Sequence, residues 1–336
     1  MKRKLCCVAA CLVACAAMGA MCPASGYLKK AVDAEDVKFS PATIQMPPGC
    51  TTPDGMAVDP KGRLVIAAPN TKHDKPGAIY RIDAPGAAPA KWFEVPPLKE
   101  SGYAQPMGVC FGADGEMYIC DCQKAGFGRL LRVTFRDDRP VAFETVAEGL
   151  ANANGVKYRN GRLYVTQAFM PGVTRGDGAA TSGLYMFGAT DRNVRPSNTP
   201  ADPQCVFSDV TRNPKVRGGL NGVAIDSHGT LYTGNYGDGH VWKLTLGADG
   251  RVAASEVFVP ASAGVKTPDG LCVDAEDNLY IADMMGDAAV KVTPQGTISF
   301  VKKGGFVRPS EPGVWRGRLY VANWGGTTVE EIPLGN

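Results

Sequence analysis

From Pro53 onward the chain is a series of short runs in which β-branched, aromatic and small apolar residues alternate with polar ones, and no run keeps the 3.6-residue apolar period of an amphipathic helix. The stretch "PDGLCVDAEDNLYIAD", residues 268–283, predicts a strand, a tight turn and a returning strand. The same block recurs as "PDGMAVDPKGRLVIAA" from Pro53, "PMGVCFGADGEMYICD" from Pro106, "ANGVKYRNGRLYVTQ" from Ala153 and "LNGVAIDSHGTLYTGN" from Leu220, with a degenerate copy, "PSEPGVWRGRLYVAN", from Pro309. The starting positions are 53, 47, 67, 48 and 41 residues apart, the period of a propeller blade with one insertion. The expected fold is therefore all-β: a six-bladed β-propeller of four-stranded antiparallel blades. "HVWKLTL" from His240 and "AVKVTPQGTISFV" from Ala289 supply outer strands. After the sixth hairpin only "TTVEEIPL" from Thr327 remains, so "PATIQM", residues 41–46, is expected to add the missing strand and close the ring between the chain ends. The insertion is placed at "FMPGVTRGDGAATSG", residues 169–183, whose composition predicts a loop on the face where the strands begin; a plain surface insertion and a lid over a central site both stay open.

In a closed radial repeat, equivalent positions stand at one height around one axis. The residue after each opening Pro, Ala or Leu is Asp54, Met107, Asn154, Asn221, Asp269 and Ser310, and these six are expected to converge at one mouth of the channel. Any single copy can be explained as turn chemistry, since Asp and Asn before Gly cap their own backbone. Yet the Asp/Gly turn of each hairpin lies elsewhere, at Asp114-Gly115 or Asn160-Gly161 for example, and the opening position is still polar in five of six copies. Two carboxylates and two amide oxygens, from Asp54, Asn154, Asn221 and Asp269, form the donor set of a hard divalent cation, Ca²⁺ first, with Zn²⁺, Mg²⁺ or Mn²⁺ as further choices. Without an ion, Asp54 and Asp269 would face each other with like charge. Asp269 and Asn154 are the candidate catalytic residues.

A second ring, at the ends of the returning strands, holds Ala68, Asp121, Gln167, Asn235, Asp283 and Asn323, of which Asp121, Asn235 and Asp283 are candidate substrate contacts along with Ser310. Met107, Phe169, Tyr236 and Trp324 are candidate walls. Of three histidines only His73 could reach the mouth, and a solvated loop position is the expected reading for it. There is no G-x-S-x-G elbow, and no phosphate-loop or dinucleotide fingerprint in a βαβ setting.

Composition alters this picture at the N-terminus. Met1-Lys-Arg-Lys4 followed by an apolar run to Ala20 is the pattern of an export signal, so residues 1–26 are set apart and 27–336 form a single propeller domain. "ASG" at 24–26 fits a peptidase site, whereas "LVAC" at 12–15 fits a lipoprotein box with a lipid on Cys15; either places the protein in the periplasm or outside the cell, secreted or membrane-anchored. No later segment has the length and apolarity of a transmembrane helix. Five of the eleven cysteines fall in or beside that segment, leaving Cys50, Cys110, Cys120, Cys122, Cys205 and Cys272, expected as buried or incidental thiols, with a disulfide from Cys122 or Cys50 open. Lys and Arg number 36 against 33 acidic residues, scattered along the chain, which argues against a nucleic-acid partner.

The motifs from Asp54 to Asn323, above all "PDGLCVDAEDNLYIAD" with "GDAAVKVTPQG" after it, resemble the senescence marker protein-30, gluconolactonase and LRE-like family of calcium-dependent lactonases and organophosphate hydrolases. The resemblance implies a six-bladed propeller with one divalent cation at the mouth, ligands at Asp54, Asn221 and Asp269, and Asn154 as ligand or substrate contact. It implies a metal-dependent hydrolase of a small lactone or ester, which the N-terminal pattern makes an exported one. Two positions depart from the family pattern: Asp54 stands where a longer glutamate is usual, and Met107 makes the second-blade side apolar. A non-enzymatic binding propeller with a structural cation, and a propeller of the strictosidine synthase-like or NHL type, are the alternatives.

Overall fold

The computed structural model describes residues 31–33, 42–123, 126–173 and 175–334. The expected export segment, Cys15 and the first residue of the expected closing strand lie outside the described residues. Six antiparallel sheets of four strands account for the rest. The first runs Met56–Val58, Leu64–Ala68, Ala78–Ile82 and Ala90–Glu94 from inside to outside. The other five start from inner strands Pro106–Phe111, Ala153–Arg159, Leu220–Ile225, Pro268–Val273 and Pro309–Trp315. Each inner strand contacts the next, and the sixth contacts the first, so the ring closes.

The second strand of a blade lies between two neighbouring blades, and its sequence shows it: Leu64–Ala68, Met117–Asp121 and Leu279–Asp283 are buried at every position. Side chains from consecutive blades interleave, as where Val65, Ala67 and Ile79 meet Val109, Met117 and Ile119. Each fully buried Ile or Leu there is worth about 1.5–3 kcal/mol, so the blades hold one another rather than standing alone. In blades one, four and five the turn between the first and second strands is built by one aspartate. Asp59, Asp226 and Asp274 accept backbone N–H bonds from residues two or four further on, so the second Asp of "PDGxxVD" is the turn cap.

Ring closure follows the expectation. Ala42–Gln45 pairs antiparallel with Thr328–Pro333 and completes the sixth blade. A feature absent from the sequence reading is Ala31–Asp33, which adds a fifth, parallel strand outside Ile298–Lys303. The insertion is also differently distributed. Residues 180–183, expected as loop, open the strand Ala180–Gly188, and a second insertion at 189–204 lies along blade two. Asn193 and Val194 bond there to Thr145 and Val146, and Glu148 N–H to Val194, shielding an otherwise open edge. All six cysteines of the described residues are free thiols. Among the described residues no helix is long and apolar enough to cross a membrane.

Candidate functional site

What aims the ring residues inward is a bulge. In blades two to six the pairing of the first two strands breaks between the opening residue and the one three further on: Pro106/Val109, Ala153/Val156, Leu220/Val223, Pro268/Leu271 and Pro309/Pro312. The interrupted stretch holds the candidate residue and the position after it. Freed from the ladder, the strand bends and turns that side chain toward the axis. The following residue is glycine in five blades because the neighbouring blade leaves no room for a Cβ. One built on Gly55 would lie 2.1 Å from the Met107 carbonyl, on Gly108 2.5 Å from that of Asn154, and on Gly222 2.4 Å from that of Asp269. The glycines thus set the close approach of the inner strands.

The result is one cavity of about 250 Å³ lined by Asp54, Met107, Asn154, Asn221, Tyr236, Asp269, Met284, Arg308 and Trp324. Four candidate ligands and three of the four candidate walls come together. Asn221 Nδ2 donates to Asp269 Oδ1 at 2.6 Å. Asp54 and Asp269 are 7% and 8% exposed, and that burial governs their protonation. It pushes the Asp54 carboxyl up to about 6, against the Ser310 hydroxyl and the Gly55 amide, which hold it down. Burial, then the charges of Asp54 and Glu311, push Asp269 well above the carboxylate range. Two desolvated carboxylates with oxygen amides beside them suit a hard cation, whose charge would offset both costs. Among the described residues no three His, Cys, Asp or Glu side chains gather as a metal site, so the set depends on Asn154 and Asn221.

Five candidate contacts are not brought to the cavity. Asp121 is fully buried and accepts from Gln105 N at 2.7 Å, Gln123 Nε2 at 2.9 Å and Arg129 Nε at 2.7 Å. Asp283, equally buried, accepts from the Lys266, Thr267 and Gly286 amides at 2.9, 2.8 and 3.0 Å. Asn235 accepts from Thr211 Oγ1 and the Asp238 amide and donates to Asp209. The second ring therefore ties down the loops entering each inner strand, and backbone groups consume its hydrogen-bonding capacity. Ser310 is buried beside Asp54 with its hydroxyl on the Pro53 and Ala322 carbonyls, and Phe169 is half-buried outside the lining. His73 is exposed and stacks on Tyr103 at 3.7 Å.

Three groups went unseen in the sequence. Met284 follows its returning strand as Tyr236 and Trp324 follow theirs, so the repeat that found those two would have found it. Arg308, in the loop before the sixth blade, is exposed at the rim and makes no ion pair or side-chain hydrogen bond among the described residues. Glu311 stands where the other blades have glycine. Burial raises its carboxyl to about 8, although Lys157 lies 3.7 Å away and pulls it down. Nothing in the repeat identifies it except the broken Gly.

A model of the SMP-30/gluconolactonase/LRE-like region matches residues 93–312, which is 220 of 336 positions and leaves Asp54 outside the match. No curated protein matches the chain. Among solved structures, a luciferin-regenerating enzyme superposes with a TM-score of 0.61 at 15% identity, covering 88% of this chain and 96% of its own. Regucalcin of Agrobacterium tumefaciens, a calcium-binding protein, gives 0.61 at 14% identity with 91% and 95% covered. A gluconolactonase from Xanthomonas campestris gives 0.58 at 16% identity with 88% and 90% covered. At such identities the likeness is one of fold.

Proposed function

Since the chain belongs to the SMP-30/gluconolactonase/LRE-like family, we propose that its mouth cavity hydrolyses a small lactone or ester, outside the cytoplasm, with a divalent cation of the calcium class held by Asp54, Asn154, Asn221 and Asp269. The observation that carries this reading is the meeting of two buried carboxylates and two amides from four different blades in one cavity. Gluconolactonase and calcium-binding regucalcin among the similar structures support it. At about 250 Å³ the cavity falls below the about 300–1,000 Å³ usual for drug-sized ligands, which fits a substrate of one ring.

When bound, the cation supplies charge that keeps both carboxylates ionised and polarises the substrate carbonyl. Asp269 uses Oδ1 to accept from Asn221, and its Oδ2 has no protein donor among the described residues. Where its hold on the cation is loose, that oxygen takes a proton from a water attacking the carbonyl. The C–O bond to the ring oxygen then breaks, and the proton passes to the departing alkoxide. Asn154 orients the carbonyl from the third blade, while Tyr236, Met284, Trp324 and Met107 exclude bulk water. Arg308 offers an unpaired guanidinium at the rim for the substrate's oxygens.

Proton release from a panel of lactones and aryl esters tests the reading, with and without chelator and in Asp269→Asn. Turnover is expected to disappear with chelation and to fall about 100-fold or more in the variant. Retained metal without turnover across the panel would instead favour a binding propeller.

A further inference from the structure

At the far ends of the inner strands, away from the mouth, a second cavity of about 200 Å³ opens at the seam of blades three and four. Arg159, Arg162, His228, Gly229 and Gly250 are among its lining residues, and no Asp or Glu is. The repeat supplies an internal comparison. "GRL" begins the returning strand in blades one, three and six, so Arg63, Arg162 and Arg318 occupy one equivalent place. Arg63 is bound by Asp59 and Asp138 at 2.6 Å each, and Arg318 pairs with Glu331. Arg162 has no carboxylate partner among the described residues, and Arg159 has only the Asp226 carbonyl at 3.4 Å.

Asp138 belongs to the turn joining the third and fourth strands of blade two, Gly128–Arg136 and Arg139–Leu150. The corresponding turn of blade four lies between His240–Leu246 and Val252–Val259, and it lines the cavity with Gly247, Ala248 and Gly250. Its one acid, Asp249, is directed to the Arg251 amide at 3.0 Å. Asp277, behind His228 at 3.5 Å, also accepts from the Ser227 amide. The place a carboxylate fills at the first seam is thus open at this one.

Both arginines lie against glycine backbone of the neighbouring blade. A Cβ on Gly229 would lie 2.3 Å from Arg159 Nη2, and one on Gly250 would lie 2.5 Å from Arg162 Cδ. Each glycine also has a left-handed φ, +89° and +80°, which favours glycine, and its lack of a Cβ leaves the space the arginine side chain occupies. Guanidinium forks suit bidentate recognition, and two unneutralised cations favour a dianion over a monocarboxylate.

We propose that the seam of blades three and four binds a small oxyanion of the phosphate class through Arg159 and Arg162, with His228 at its edge. The site is separate from the mouth and does not depend on lactone hydrolysis.

Equilibrium titration with inorganic phosphate, at constant ionic strength in chloride, tests it. One saturable phosphate per chain is expected, with affinity falling about 10-fold or more in Arg162→Gln and in Arg159→Gln. It should be unchanged in Arg308→Gln, which removes the unpaired cation at the mouth. Ala248→Asp places a carboxylate in the open turn, and should raise the melting temperature while abolishing phosphate binding. Absence of saturable binding, binding that survives both arginine substitutions, loss only in Arg308→Gln, or acetate binding as tightly as phosphate would each overturn the proposal.

Discussion

Replacing Asp54 by asparagine removes one of two buried charges with almost no change of shape, and the cation-free protein should become more stable, by an amount that grows between about pH 4 and 6 and is complete above that. Burial raises the Asp54 carboxyl from 3.8 to about 6. Between those values the folded chain holds a proton that the unfolded chain has released, so stability falls as pH rises through the window and stays low above it. Moving the midpoint from 3.8 to about 6 corresponds to about 3 kcal/mol at 1.36 kcal/mol per pH unit. For a chain this size that is a melting-temperature gain of about 5–10 °C in Asp54→Asn at pH 8, and almost none at pH 4. Calorimetry of both proteins in chelator, at the two pH values, reads the difference, which includes the relief of Asp269 and Glu311, whose carboxyls the Asp54 charge also pushes up. Adding Ca²⁺ should then raise the wild-type melting temperature at pH 8 far more than the variant's. If Asp54→Asn is less stable than wild type in chelator at pH 8, or if Ca²⁺ stabilises both proteins equally, the carboxylate pair is not what the ion would relieve.

The Asp138 carboxylate accepts from Lys61, Arg63 and Arg81, and Arg63 above all holds its carboxyl well below the ordinary range. Its contribution is present above pH 4 and is lost as pH falls below, so Asp138→Asn should cost about 1–2 kcal/mol at pH 7, allowing for partial exposure, and nothing in acid. An unchanged urea midpoint at pH 7 would contradict this. Gly222→Ala drives a Cβ to within 2.4 Å of the Asp269 carbonyl and should destabilise by about 2 kcal/mol or more, whereas Gly172→Ala, with open space around it, should be neutral; equal effects would refute the close-approach reading. Burial pushes the Cys110 thiol up to about 12, so iodoacetamide at pH 8 should label it only after unfolding, and rapid labelling of the native protein would show the seam of blades two and three to be open.

Much of this molecule was legible in one dimension. Six copies of a two-residue alternation, spaced at blade length, determine six hairpins, and the shortage of one strand at the end calls for Ala42–Gln45 at the start. The radial symmetry of the repeat then places Asp54, Asn154, Asn221 and Asp269 in one cavity, because equivalent positions of a closed ring share a height and an axis. Symmetry misleads where side chains have local partners. Asp121, Asn235 and Asp283 occupy as regular a ring, but each lies within reach of amides in its own blade, and a local bond costs less order than a shared site.

What only the tertiary structure decided lies where blades meet each other or where the repeat is broken. Glu311 in a glycine's place, Arg308 reaching the rim from a loop, and residues 189–204 laid along blade two all depend on contacts between segments with no common pattern. So does part of the difference between Arg63 and Arg162: the hairpin of the first carries Asp59 where the other carries Arg159, but the second carboxylate on Arg63, Asp138, comes from the next blade. Periodicity fixes the backbone of each blade and the facing of its side chains, because both follow from bonds within the hairpin. Charge balance at a seam depends on two neighbours at once, and that is determined only when the ring is closed.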